Sequence, residues 1–91
     1  MSVNVKIPTQ LRAATDGEAV AIVDGATVAE VLDALYARFG ELKVRIADEE
    51  GLRRFVNVYV GGEDIRFLEG LATPVADGAE VTILPAVAGG S

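Results

Sequence analysis

The chain of 91 residues contains no cysteine, no histidine and no tryptophan, and a single methionine. Without cysteine there can be no disulfide, no thiolate nucleophile, no iron–sulfur cluster and no cysteine-bound zinc. Without histidine the commonest general base and the commonest transition-metal ligand are missing too. Positive charge is scarce: 8 Lys and Arg stand against 14 Asp and Glu, a formal net charge of -6. That balance argues against nucleic acid and anionic membrane as partners and favours proteins with basic surfaces. No apolar run approaches the roughly 20 residues of a membrane span, and the N-terminal "MSVNVKIPTQ" lacks a signal-peptide core. A cytoplasmic protein is expected. The remaining composition, 51% hydrophobic and 24% charged, is that of a globular chain. Its length suits one domain that buries roughly 60–65% of its unfolded surface.

Val3, Val5 and Ile7 alternate with Asn4 and Lys6, which predicts a strand over residues 2–8, closed by Pro8. Turn residues, most plainly Asp16-Gly17, lead to a second strand over residues 19–23, so the chain opens with a long-looped hairpin. "ATVAEVLDALYARFG" then predicts a helix. Thr27 and Glu30 form a capping-box pattern, Val28, Val31, Leu32, Leu35, Tyr36 and Phe39 draw one apolar stripe, and Gly40 offers a left-handed end. Such a stripe could line a partner's groove, but the predicted sheet has no other helix to cover it, so a core role is expected. Residues 41–51 look irregular, with Leu42, Val44 and Ile46 tucked under the sheet and Asp48-Glu49-Glu50 in a solvated loop. Carboxylates can hold hard cations, yet adjacent acids on an acidic protein are usually solvated charge, and no metal site is expected.

"RRFVNVYVGGED" returns to strand character, with Val56, Val58 and Val60 on one face and Phe55, Asn57 and Tyr59 on the other. Gly61-Gly62 reads as a hairpin turn; it lacks the lysine and following helix of a phosphate-binding loop. A short strand over residues 64–67 follows, then a loop through Asp77-Gly78, then a last strand over residues 80–87. On that strand Val81, Ile83 and Pro85 share one face, and Thr82, Leu84 and Ala86 the other. The order β-β-α-β-β-β predicts an α+β domain of the β-grasp class. Its mixed sheet of about five strands is covered by one main helix, as in ubiquitin. The domain is expected to span residues 1–86, with residues 87–91 as a flexible Gly-Gly tail.

The stretch from Arg54 to Gly90, above all "DGAEVTILPAVAGG", resembles the C-terminal signature of the MoaD/ThiS family of ubiquitin-like sulfur carriers. "RFVNVYV", "EDIRF" and "GLATPVADGAEVTILPAVAGG" look closest to the actinobacterial branch that serves cysteine synthesis from O-phosphoserine. The resemblance implies a carrier with no bound cofactor. An E1-like activating enzyme would adenylate the carboxylate of Gly90 with ATP. The resulting thiocarboxylate would then deliver sulfur to an acceptor such as a cysteine synthase. Elementary chemistry agrees: a carboxylate is a poor electrophile until joined to a good leaving group. Five extended residues from Val87 to Ser91 reach about 17 Å. Val87, Ala88 and Gly89 would thread the partner's channel, the glycines passing where no β-carbon fits.

Ser91 departs from the family pattern, since no thiocarboxylate can form on Gly90 while its carboxyl is in a peptide bond. Either the chain is a precursor that awaits a C-terminal hydrolase, or the serine was appended to the native chain. Phe55, Tyr59 and Leu84, on the sheet face opposite the helix, are the candidate docking patch, unless the 41–51 segment covers Phe55. No autonomous enzyme is expected, for no nucleophile–base pair is evident. Two other readings compete with the carrier. One is a ubiquitin-like modifier conjugated through Gly90, for which only Lys6 and Lys43 could accept self-chains. The other is a non-covalent β-grasp interaction module.

Overall fold

The computed structural model describes residues 2–49, 51–53 and 56–85. Strand β1 (Ser2–Lys6) pairs antiparallel with β2 (Val20–Asp24), and the link between them winds as a 3-10 turn over Thr9–Thr15. Helix α1 (Val28–Arg38) follows, then α2 (Gly40–Ile46) and a small hairpin of β3 (Ala47–Asp48) and β4 (Gly51–Leu52). Strand β5 (Val56–Val60) turns through Gly61-Gly62, both at positive φ, into β6 (Glu63–Asp64). Two further 3-10 turns lead to β7 (Glu80–Pro85). The main sheet has the order β2-β1-β7-β5-β6, with only β1 and β7 parallel. This is the β-grasp arrangement that the sequence predicts.

The strand alternation explains how the sheet is covered. Val3 and Val5 of β1, Ala21 and Val23 of β2, Val56 and Val58 of β5, and Val81 and Ile83 of β7 are all buried. They meet the α1 stripe of Val28, Val31, Leu32 and Leu35, all buried, while Phe39 closes the far end. Each fully buried Val or Leu contributes roughly 1.5–3 kcal/mol of apolar transfer, which makes this interface the main source of stability. The N-terminal cap forms as expected. Thr27 Oγ1 accepts from the Glu30 N–H at 3.3 Å, and the Glu30 carboxylate reaches back to the Ala26 N–H at 3.0 Å.

Four expectations need correction. Residues 40–46 are helical, not irregular, and Gly40 starts α2 without positive φ; the turn after α1 is made by Phe39. On that helix Leu42 and Ile46, four apart, share the buried side, whereas Val44 lies on the opposite side and is 65% exposed. The strand expected over 64–67 stops at Asp64, whose Oδ1 accepts the Arg66 N–H at 2.8 Å and starts a 3-10 turn over Ile65–Phe67. That turn leaves Phe67 85% exposed. The last strand is described to Pro85, and residues 86 and 87 lie outside the described residues. Among the described residues no helix is long and apolar enough to cross a membrane.

Candidate functional site

Of the residues singled out above, Phe55, Val87, Ala88, Gly89, Gly90 and Ser91 lie outside the described residues. The structure describes the surface from which the terminal segment departs. Strand β7 runs down the middle of the sheet and is described as far as Pro85, which stands abreast of Val56. One residue earlier, Leu84 faces Asn57 across the same ladder. Its side chain points away from α1, because Ile83 beside it is fully buried and alternation sends Leu84 to the other face. Leu84 is 44% exposed there.

The open face is organised in rows set by strand register. One row crosses all five strands: Val20, Lys6, Thr82, Tyr59 and Asp64. Tyr59 is therefore the diagonal neighbour of Leu84, two pairs along the β5–β7 ladder, and is half-buried. The structure thus brings Tyr59 and Leu84 onto one face. Sequence reasoning missed the apolar residues that extend this surface on β2. Val20 and Ile22 alternate with the buried Ala21 and Val23 and are 46% and 60% exposed. Their signal was the two-sided apolar run "VAIV", which leaves one set of side chains uncovered wherever the sheet has a helix on one face only.

A shallow groove of about 380 Å³ lies at the Leu84 end of this face, between β1 and β7. Lys6, Pro8, Arg12, Val20, Thr82 and Leu84 are among its lining residues. Its floor is apolar and its cations are positioned by the protein itself. Lys6 Nζ sits 3.2 Å from Glu80 Oε2, and Arg12 Nε donates to the Ile7 carbonyl at 3.3 Å. Among the described residues no group of three His, Cys, Asp or Glu could hold a metal ion. Asp48 lies in β3, Glu49 is exposed, and Glu50 lies outside the described residues. What the described residues of this surface offer is apolar contact flanked by the cations of Lys6 and Arg12.

Comparison with known proteins bears on the fold and the family. The profile of the ThiS family matches residues 5–90, from Val5 in β1 to the second glycine of the Gly89-Gly90 pair. The sulfur carrier protein CysO of Mycobacterium tuberculosis is 48% identical over 93 aligned positions, covering 99% of this chain and 100% of that protein. A chain of the BexX/CysO complex of Amycolatopsis orientalis superposes with a TM-score of 0.89 at 52% identity, over 97% of this chain and 99% of that one. SAMP1 of Haloferax volcanii, a small archaeal modifier protein, superposes with a TM-score of 0.85 at 31% identity, over 99% and 100%. A family match across nearly the whole chain, with an identity near one half to full-length relatives, supports a single conclusion: the chain belongs to the ThiS family.

Proposed function

We propose that this chain is a sulfur carrier that acts as a protein cosubstrate and not as a catalyst. Removal of Ser91 frees the carboxylate of Gly90. An E1-like enzyme joins that carboxylate to the α-phosphorus of ATP with loss of pyrophosphate. Sulfide then displaces AMP from the acyl carbon and leaves a thiocarboxylate. The thiocarboxylate donates its sulfur to a biosynthetic acceptor, of which a cysteine synthase is the first choice. The observation that carries this reading is the likeness to CysO along the full chain, with the family match running through Gly89-Gly90. Val87, Ala88 and Gly89 thread the partner's active site and present Gly90 there, and the open sheet face around Leu84, Tyr59 and Phe55 holds the carrier meanwhile.

The test is intact mass after incubation with an E1-like activating enzyme, ATP and sulfide. The chain ending at Gly90 should gain the difference between sulfur and oxygen, and the chain retaining Ser91 should not change. If a CysO protein gains that mass in the same mixture and the chain ending at Gly90 does not, the reading fails. The likeness to SAMP1 favours a second reading, conjugation through Gly90 to target lysines. Attachment of a whole protein in place of sulfur would establish it.

A further inference from the structure

The central strands β1 and β7 run parallel, with Asn4, Val5 and Lys6 abreast of Glu80, Val81 and Thr82. The Asn4 N–H donates to the Ala79 carbonyl at 2.9 Å, so even-numbered residues of β1 aim their amides at β7. Odd-numbered ones face β2, as the Ile7 N–H on the Ala19 carbonyl shows at 2.8 Å. On β7 the Glu80 carbonyl accepts the Gly61 N–H at 3.0 Å, so even positions face β5 and positions 81, 83 and 85 face β1. The next β1 donor would therefore be residue 8, aimed at the Ile83 carbonyl. The next β7 donor would be residue 85, aimed at the carbonyl of residue 8. Both are proline.

Proline has no N–H and is confined to edges and bulges in most sheets, yet these two lie on facing sides of the central ladder. Pro8 itself has extended backbone, φ -70 and ψ 159, and neither proline can donate the rung that the register would place there. The groove between Pro8 and Leu84 opens at this same point. We infer that Pro8 and Pro85 form a built-in stop in the β1–β7 ladder, which makes Pro85 a positioning residue for Gly90. The stop leaves the end of β7 without a rung to β1 at Pro85, while Leu84 still pairs with Asn57 of β5, so the following chain can be aligned in a partner's active site. This inference rests on the carrier reading.

The test compares the chain ending at Gly90 with its Pro85→Val and Pro8→Ala variants, the second as the milder change. Hydrogen exchange should show a newly protected amide at residue 85 or residue 8. The melting temperature should be unchanged or higher. Activation, read as mass gain with the E1-like enzyme, ATP and sulfide, should fall by roughly 10- to 100-fold for Pro85→Val, the scale set by a small misplacement of a reacting group. Two glycines inserted between Ala88 and Gly89 in that variant should restore the rate, since alignment and reach were lost and not chemistry. Full activity with a protected amide, an unprotected amide in both variants, or no rescue would each overturn the inference. If the unsubstituted chain is itself not activated, the carrier reading falls and the positioning role with it, while exchange still reports whether the prolines stop the ladder.

Discussion

Leu84 and Asn57 face one another across the β5–β7 ladder on the side of the sheet that α1 does not cover. Their neighbours in sequence, Ile83 and Val58, form the adjacent pair and are buried beneath the helix. A change at Leu84 therefore alters a surface, and a change at Ile83 alters the core. Leu84→Glu should raise the KM for the activating enzyme, costing roughly 1–3 kcal/mol of binding if the side chain sits at the interface centre. Its melting temperature should stay close to that of the unsubstituted chain. A large fall in melting temperature would show that Leu84 supports the fold, and the docking surface would have to be sought elsewhere.

Gly90→Ala in a chain ending at residue 90 should impair activation far more than stability. A terminal residue beyond the last strand contributes little to folding, so its β-carbon matters only inside a partner's channel. Equal activation rates, measured by mass gain over time, would mean that no such narrow channel exists.

Gly25→Ala should destabilise the domain itself. A β-carbon at Gly25 would stand 2.7 Å from the Val31 backbone nitrogen and 2.8 Å from Val31 Cγ2. The nitrogen belongs to α1 and cannot move alone, so helix and turn must separate. The expected cost is about 1–3 kcal/mol. For a domain of this size each kcal/mol lowers the melting temperature by roughly 4–8 °C. Thermal unfolding followed by circular dichroism measures it directly, and an unshifted midpoint would contradict the close approach.

Thr27→Ala removes the hydroxyl that accepts the Glu30 N–H at the start of α1. The loss should be about 1 kcal/mol, and Thr27→Ser should recover most of it because the acceptor is restored. Denaturant unfolding of the two variants separates a capping effect from a packing effect.

Tyr36 predicts an alkaline limit. Burial, and then the negative charge of Asp33, push its hydroxyl up to about 12 from 10.0. Below pH 10 the phenol is protonated in both folded and unfolded chains, and its contribution is fully present. Between pH 10 and 12 the unfolded chain releases the proton while the folded one keeps it, so stability falls as pH rises. Tyr36→Phe should flatten that part of the stability curve relative to the unsubstituted chain. Equal slopes from pH 9 to 12 would show that the tyrosine is not the group responsible.

Period-2 patterns in residues 2–8, 19–23, 56–60 and 80–85, a capped helix over 27–39 and glycine turns sufficed to determine the architecture. Each is a local rule: alternation puts one face of a strand in the core, and 3.6-residue spacing puts one stripe of a helix there. The terminal Gly89-Gly90 and the strand before it pointed in the same way to the ThiS family. Tertiary structure alone decided the rest. "ELKVRI" is ambiguous by itself, since alternating Leu42, Val44 and Ile46 suits a strand as well as a helix. Packing settled it by burying Leu42 and Ile46 and turning Val44 to solvent. The same holds for Pro8 and Pro85, 77 positions apart by their numbering. Pro8 reads locally as the end of a strand and Pro85 as a residue within one. That an extended register sets them on facing positions, each without the donor the other strand would need, follows only from the parallel pairing of β1 and β7, because strand pairing between distant segments is set by the core that both must cover.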